Sequence, residues 1–256
     1  MKNWLLFFLI AWMPVYAART PKVLVLIIAS DDLPVYRAFQ DTWRAYMHTD
    51  PKHIEAYFLK ATPEMDRPFA IVGDTFVARA GEGLVPGSAG ILNKTLIAFK
   101  AFLPRLHEFD YVLRTNLSSF FFFPDLLEFL KTLPAKHCYA GGPTGKGSRV
   151  ASGSGIILST DVVKLLLFDY KKLFNDASEA DDVLIGHFLW KKKIHFLSYQ
   201  RFDIHRYDDW VAYKEGRVPH TFHFRTRTSD RSNPADLSYD VDIQRELLHM
   251  FYGIHL

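Results

Sequence analysis

The architecture of the chain can be inferred from the segment Phe109-Asp110-Tyr111-Val112-Leu113-Arg114-Thr115-Asn116-Leu117-Ser118-Ser119-Phe120. Its apolar part, Tyr111 to Leu113, predicts a buried β-strand. The residues Asn116-Leu117-Ser118 follow and predict a polar turn directly after that strand. Ligands of open α/β sheets bind where the strands end, at their carboxyl side. We therefore expect a binding site at this junction.

Strand and helix patterns alternate on both sides of this segment. Lys22 to Ala29 holds a continuous apolar run, which is typical of a parallel strand covered on both faces. Further strands are predicted at Ile54–Leu59, Phe69–Val72 or Thr75–Ala78, His137–Ala140, Gly155–Leu158 and Ile194–Ser198. Helices are predicted from after Pro34 to about His48, and at Ile91–Leu103, Asp125–Leu133, Asp161–Tyr170 and Asp181–Trp190. The alternation predicts a single-domain α/β fold, with a mostly parallel sheet and helices on both faces.

The C-terminal part has a different pattern. Residues from about 202 onward are rich in aromatic, His and Arg residues and predict an irregular tail. Only near Val241 to Tyr252 does a helical pattern return.

The N-terminus has the pattern of a targeting segment. Lys2 precedes an apolar run from Trp4 to Met13, and Val15-Tyr16-Ala17 offers small residues at the positions that a signal peptidase reads. The run is shorter than the ~20 residues that a membrane-spanning helix needs. We expect residues 1–17 to be a signal peptide or, alternatively, a short type II anchor. Either would deliver residues 18–256 to the lumen of the secretory pathway (endoplasmic reticulum or Golgi) or to the exterior.

Charge and composition limit the possible partners. The net charge of +3 is spread along the chain and fits an anionic substrate such as a nucleotide diphosphate. No basic tail, zinc-ligand spacing or RNA-binding motif accompanies it, so nucleic-acid binding is not expected. The single cysteine, Cys138, excludes an intramolecular disulfide, and stability must therefore come from core burial.

Five segments, in order between about residues 23 and 198, resemble the β1,3-glycosyltransferase family that includes galactosyltransferases and fringe-type enzymes. Each matches a family signature in part: Asp41-Thr42-Trp43, Asn93-Lys94-Thr95-Leu96, Tyr111-Val112-Leu113-Arg114-Thr115 with Phe120, Ser152-Gly153-Ser154-Gly155-Ile156-Ile157-Leu158-Ser159, and Asp181-Asp182-Val183-Leu184-Ile185-Gly186. The third segment departs from the family, because Asn116, Leu117 and Ser118 stand where the family carries an acidic Asp-x-Asp motif.

The resemblance implies a GT-A (Rossmann-like) fold and a hexosyltransferase-like activity. The donor would be a UDP-sugar, and the sugar would pass, with inversion, to a hydroxyl of a glycan or glycoprotein acceptor. Asp182 matches the family's catalytic aspartate better than Asp181 does. A carboxylate at a helix N-terminus suits a general base, since the helix dipole and free N–H groups fix its position. The alternative is that both acids only cap the helix.

Several residues are candidates for holding the donor. Ser30, Asp31 and Asp32 follow the first strand and could hydrogen-bond uracil or ribose, or simply cap the next helix. Gly153 and Ser154 belong to a segment whose glycines allow the backbone to pass close to the donor sugar, or form a strand-entry turn. Lys94 lies near the start of a helix that follows the glycine-rich loop between Ala80 and Gly90, where diphosphate could bind. Arg114 is a second candidate partner for the diphosphate.

A divalent metal would find few suitable ligands in the expected donor site. Asn116 and Ser118 can each offer only a neutral oxygen, whereas Mn²⁺ or Mg²⁺ prefers carboxylates. A late histidine such as His223 could complete a metal site, although a lone His is more often structural. We expect weak or absent metal dependence. The missing acids also leave open a catalytically inactive relative that binds a glycan or nucleotide-sugar; a secreted hydrolase is a poorer interpretation, since no Gly-x-Ser-x-Gly elbow is present.

Overall fold

The computed structural model describes residues 19–81, 90–169, 171, 179–228 and 238–256. The predicted targeting segment, residues 1–17, lies outside the described residues, as does most of the glycine-rich loop between Ala80 and Gly90. Within the described part of the chain, no helix is both long enough and apolar enough to cross a membrane.

Apolar runs in the sequence form the strands of a large central sheet. Its members are β1 (Val23–Ile28), β2 (Ile54–Ala61), β3 (Phe69–Val72), β4 (Thr75–Ala78), β5 (Tyr111–Asn116), β7 (Tyr139–Pro143), β8 (Ala151–Ser159) and β9 (Phe196–Ser198). They lie in the order β3-β4-β2-β1-β5-β8-β7-β9. β1 pairs in parallel with β2 and β5, whereas β8 runs antiparallel to both of its neighbours and β3 runs antiparallel to β4. The sheet is therefore mostly parallel, and the strand order reverses at β1.

Helices cover both faces of this sheet. They are α1 (Pro34–Tyr46), α2 (Gly90–Phe102), α3 (Phe123–Leu130), α4 (Thr160–Phe168), α5 (Asp181–Lys191), α6 (Tyr207–Lys214) and α7 (Ser238–Tyr252), with a 3₁₀ helix at Leu103–Glu108. Along β1, Val23, Val25 and Ile27 face a hydrophobic layer shared with α1, α3, α6 and α7. Leu24 and Leu26 face a second layer shared with α2, α4 and α5. The predicted α/β fold, a single domain with a mostly parallel sheet and helices on both faces, is confirmed.

Two local predictions need correction. β8 is much longer than the predicted strand: it begins at Ala151, which pairs with Pro143 of β7, and continues through a segment rich in glycine and serine. β5 extends to Asn116 rather than ending at Leu113, so Arg114 is a buried strand residue. In both cases, pairing with neighbouring strands outweighs the local sequence preference.

The prediction of an irregular tail from about residue 202 is wrong for the described residues. β10 (Phe202–Ile204) and β11 (His223–Thr226) form a small second sheet with β6 (Ser119–Phe121), in the order β10-β11-β6. β11 pairs antiparallel with β6, which directly follows the turn after β5. The C-terminal part of the chain is thus built against the candidate binding site.

Candidate active site

A cleft of about 290 Å³ opens at the carboxyl ends of β1 and β5, where the strand order reverses. Such a switch point is the usual ligand site of an open α/β sheet. Nine of the residues singled out from the sequence line this cleft: Ser30, Lys94, Arg114, Asn116, Ser118, Gly153, Ser154, Asp181 and Asp182. Asp31, Asp32 and His223 are not among its lining residues.

Asp181 and Arg114 form an ion pair beneath the cleft. The Arg114 side chain is only 4% exposed and that of Asp181 15% exposed. Nη2 of Arg114 donates to Oδ2 of Asp181, and its Nη1 donates to the carbonyl of Gly153 at 2.8 Å. Burial raises the pKa of the Asp181 carboxyl; Arg114 opposes this shift and the neighbouring Asp182 adds to it. The pair therefore joins the start of α5 to β5 and β8. Both terminal nitrogens of the Arg114 guanidinium donate to protein groups and not to a ligand.

Asp182 is held differently from its neighbour. Its Oδ2 accepts the N–H of Gly153 at 2.7 Å, and its Oδ1 accepts the N–H of Val183 at 2.9 Å. Each oxygen thus has one neutral backbone donor and keeps lone-pair capacity for another. A carboxylate fixed in this way, at the N-terminal end of α5 and in the wall of a cleft, can accept a proton from a bound hydroxyl. Between the two acids, Asp182 has the geometry of a base.

Gly153 has no room for a side chain. A Cβ at this position would lie 2.5 Å from Nη1 of Arg114 and 3.3 Å from Oδ2 of Asp182. The neighbouring Ser154 is fully committed: its carbonyl accepts from Thr115 at 2.6 Å, and its hydroxyl accepts from Arg201 at 2.6 Å. Gly153 therefore positions Arg114 and Asp182 through its backbone, whereas Ser154 joins β8 to Thr115 and Arg201.

Gly153→Ala is expected to weaken both the fold and the cleft. The added methyl displaces Arg114 from its pair with Asp181, and such overpacking costs about 1–3 kcal/mol. Urea unfolding measures this loss, and titration with UDP measures the loss of donor affinity that we expect with it. The matched control is Gly145→Ala in the connection between β7 and β8, where an added Cβ meets nothing within 4 Å. Equal stability of the two variants would contradict the close approach.

The turn after β5 is a junction of hydrogen bonds. Oδ1 of Asn116 accepts from the hydroxyls of Ser118 at 3.0 Å and Ser119 at 3.2 Å. The carbonyl of Leu117 accepts from Trp43 at 3.4 Å and Gln244 at 3.1 Å. The turn therefore joins α1, α7 and the small sheet through its oxygen atoms.

The part of the cleft at the end of β1 combines a hydroxyl with a buried cation. Ser30, at the end of β1, is 6% exposed, and its hydroxyl has no hydrogen-bond partner among the described residues. Lys94, on α2, is only 1% exposed, and its Nζ donates to the carbonyl of Ala29 at 3.2 Å. An ammonium group held at the end of β1 makes this part of the cleft suitable for an anion.

Asp31 and Asp32 lie apart from the cleft lining. Nζ of Lys60 contacts both carboxylate oxygens of Asp31 at 2.7 Å, and Gln40 donates to Oδ1 at 3.0 Å. Burial raises the pKa of Asp31, but the hydrogen bonds and charge of Lys60, with Gln40, outweigh it, so that the pKa is lowered overall. Asp32 is exposed. Asp31 thus pairs with Lys60 and anchors the turn after β1.

His223 lies in the hydrophobic layer. Its ring stacks on Phe121 with centroids 4.0 Å apart, and Nδ1 lies 2.9 Å from the hydroxyl of Tyr199. The ring fits beneath Gly155, where an added Cβ would lie 2.6 Å from it. The structure therefore does not bring His223 to the turn at Asn116 and Ser118. Among the described residues, no three His, Cys, Asp or Glu side chains converge as metal ligands.

His223 gives the fold a pH dependence of definite sign. Burial, and then the charges of Arg201 and Arg225, lower the pKa of His223 well below its ordinary value, so the folded protein keeps the ring neutral. The unfolded chain binds a proton there below about pH 6.5, so the free energy of unfolding falls by up to about 1.4 kcal/mol per pH unit below that value. Urea unfolding of the wild type and of His223→Gln at several pH values measures the difference in slope. Identical slopes would contradict a neutral buried ring.

Two lining residues carry no clear signal in the sequence. Arg225, on β11, reaches the cleft because β11 pairs with β6 next to the turn, with Arg225 opposite Ser119. The sequence places it only in the C-terminal part, among other basic residues. Tyr36, in the first turn of α1, also lines the cleft. The sequence places Tyr36 only in the first turn of the helix that begins at Pro34.

No protein family represented by a sequence model matches the chain, and no curated protein matches it. Two solved structures that resemble it are of the glycosyltransferase GlyE from Streptococcus pneumoniae TIGR4. The apo form has 16% identity and a TM-score of 0.47, and the other structure has 12% identity and a TM-score of 0.46. Each comparison covers 91% of this chain and 64% of GlyE, so the chain spans less than two thirds of that protein. The particular resemblance to the β1,3-glycosyltransferase family is not confirmed by these comparisons and stays a prediction.

Proposed function

We propose that the chain is a glycosyltransferase that moves a sugar from a UDP-sugar donor to a hydroxyl of a glycan or glycoprotein acceptor. The observation that carries the proposal is the position of Asp182. Its carboxylate stands in the wall of the cleft at the strand-order switch point, and it is held by two backbone N–H groups. A fixed, partly buried carboxylate beside a nucleotide-sized cleft is what a transfer reaction with a single base requires.

The donor's nucleotide end lies at the end of β1. There the hydroxyl of Ser30 can hydrogen-bond the uracil or ribose, and the ring of Tyr36 can stack on the base. The diphosphate lies toward Lys94, whose ammonium offsets its charge. Asn116, whose Oδ1 is occupied by two hydroxyl donors, is left to offer its amide N–H groups to the ribose or phosphate. The donor sugar then reaches Gly153 and Asp182.

The proposed chemistry needs one proton acceptor. The acceptor hydroxyl donates its proton to Asp182 as its oxygen forms a bond to the anomeric carbon of the donor sugar. The bond between that carbon and the diphosphate oxygen breaks at the same time, and UDP leaves with the electron pair. Attack from the face opposite the diphosphate inverts the anomeric carbon, and the proton on Asp182 passes to solvent. Backbone N–H groups and cations fixed around the diphosphate stabilise the charge that develops on it.

Two finer parts of the proposal come from the sequence. The five family-like segments support a β1,3-type transferase, and the N-terminal targeting pattern supports action in the secretory lumen or outside the cell. A panel of glycans that differ only in the position of the accepting hydroxyl tests the first. Expression of the full chain with a glycosylation reporter tests the second.

A second candidate function is a binding protein for glycans or nucleotide-sugars. The observation in its favour is that both carboxylates already have protein partners, Asp181 with Arg114 and Asp182 with the backbone of Gly153 and Val183. The same contacts would be present if the two carboxylates only held the start of α5 against β5 and β8. Donor binding without release of UDP, with every acceptor and every metal tried, would favour this function over transfer.

Calorimetric titration with UDP, ADP, GDP and a set of UDP-sugars tests the donor site itself. We expect UDP and at least one UDP-sugar to bind, and ADP and GDP to bind more weakly, since the end of β1 selects the base. Binding of none of them, or equal binding of all three nucleotides, would contradict the placement of a UDP-sugar in the cleft.

A further inference from the structure

We propose that the cleft binds the donor's diphosphate without a divalent cation, and that Arg225, together with Lys94, supplies the positive charge instead. The inference rests on the proposed function, since it concerns how the same donor is held. It assigns a role to Arg225, on β11, which the sequence patterns leave without one.

The turn that would hold a metal in the resembled family offers no charged oxygen, and most of its neutral oxygens already accept hydrogen bonds. Oδ1 of Asn116 already accepts two hydroxyl hydrogens, and the carbonyl of Leu117 accepts N–H groups from two side chains. The carbonyl of Ser118 accepts from the N–H of Thr226 at 2.9 Å and from its hydroxyl at 3.2 Å. If these oxygens bound a cation instead, the buried groups that now donate to them would lose their hydrogen bonds. The weak binding of a divalent cation by neutral oxygens does not offset that loss of free energy. The donor set of this turn does not fit Mn²⁺ or Mg²⁺.

The two carboxylates in the cleft do not make up for this. Asp181 is neutralised by Arg114 in a nearly buried ion pair. Asp182 keeps lone-pair capacity beyond its two backbone hydrogen bonds, but a single carboxylate does not make a site for a divalent cation. Hard divalent cations prefer several charged oxygens at once. Among the described residues, no three His, Cys, Asp or Glu side chains converge.

Cationic side chains approach the cleft from two sides. Lys94 reaches it from α2, with its ammonium at the end of β1. Arg225 reaches it from β11, in register with Ser119, and therefore directly beside the turn. A guanidinium can bind a phosphate through two parallel N–H···O bonds, and an ammonium acts as a point charge. Arg225 thus brings a positive charge directly beside the turn of Asn116, Leu117 and Ser118.

Electrostatics favours this exchange of a metal for an arginine. A divalent cation near Arg225 and Lys94 would be repelled by both, and the repulsion is strong where water is scarce. The same side chains attract the diphosphate. The replacement of two acids by Asn116 and Ser118 and the presence of Arg225 therefore act together, since both make the site anion-binding without a metal.

The test is titration of the full chain with UDP and with uridine, in excess EDTA and in buffer with added Mn²⁺. We expect UDP to bind equally in both buffers and much more tightly than uridine, with an affinity that falls as salt rises. Arg225→Gln should weaken UDP by about tenfold and leave uridine unchanged, as expected for loss of a charged hydrogen bond. Arg227→Gln is the matched control, because Arg227 is exposed just beyond the same strand and does not line the cleft.

The outcomes distinguish failure of this inference from failure of the proposed function. UDP binding that requires Mn²⁺ would overturn the metal-free site and leave the proposed transferase intact. Unchanged UDP affinity in a folded Arg225→Gln would overturn the role of Arg225. Absence of UDP binding in both buffers would overturn this inference and the proposed function together. If Arg225→Gln does not fold, the comparison of UDP with uridine in wild-type protein under EDTA still decides, since equal affinities would exclude a cationic phosphate site.

Discussion

Asp182→Asn is expected to lower turnover by about 10²-fold or more, the usual contribution of a general base. UDP affinity should stay near the wild-type value, because the amide oxygen can still accept the N–H of Gly153 or Val183. The loss should therefore appear in kcat rather than in binding. Steady-state kinetics with the preferred UDP-sugar, together with calorimetric titration of UDP, measures the two quantities separately.

A matched control exists on another helix. Asp161 is the second residue of α4, as Asp182 is of α5, and it accepts hydrogen bonds from the N–H of His137 and the hydroxyl of Ser159. It does not line the cleft. Asp161→Asn should leave turnover unchanged. Wild-type turnover in Asp182→Asn would remove Asp182 as the base, and unfolding of Asp182→Asn would show that the acid is a helix cap.

Asp181→Asn is expected to cause the largest loss of stability, about 3–5 kcal/mol. The substitution leaves the guanidinium of Arg114, which is 4% exposed, without its counter-charge. Removing one member of a buried ion pair is costly because the remaining charge stays desolvated. Urea unfolding measures the change, and Arg114→Met should show a loss of the same order.

Two comparisons separate this pair from an ordinary surface contact. Asp41→Asn breaks the exposed pair of Asp41 and Arg44 and should cost no more than about 1 kcal/mol. The double variant Arg114→Met/Asp181→Leu should recover much of the stability, since an apolar pair has no charge to leave buried. A double variant as unstable as the sum of the two single variants would contradict a coupled buried pair.

Much of the fold follows from the sequence, because its central strands are apolar throughout. The run in β1 is buried on both faces, and this pattern is characteristic of a parallel strand. The alternation of such runs with amphipathic helices then predicts the α/β class. The C-terminal part could not be predicted in this way. β10 and β11 have only three and four residues, and β11 is stabilised by pairing with β6, about a hundred residues earlier in the chain.

The position of the site could be predicted from the sequence, but the ion pairs and hydrogen bonds between its residues could not. Residues that follow the ends of β1 and β5 share one edge of a parallel sheet, so Ser30 and Asn116 were expected to lie together. Nothing local indicates that Arg114 pairs with Asp181, which lies 67 residues later, rather than with a ligand. In the same way, the oxygens of the turn are occupied by Trp43 and Gln244, whose side chains come from distant helices. Such commitments depend on tertiary packing, which a single sequence pattern does not encode.

Acceptor-dependent release of UDP tests the central claim most directly. The purified chain is incubated with a panel of UDP-sugars and a mixed set of glycan acceptors, and UDP is measured over time beside Asp182→Asn. The account predicts that one UDP-sugar releases UDP in proportion to the acceptor present, and that this release is lost in the variant. The account would be contradicted if no UDP-sugar on the panel released UDP and none of them bound to the chain.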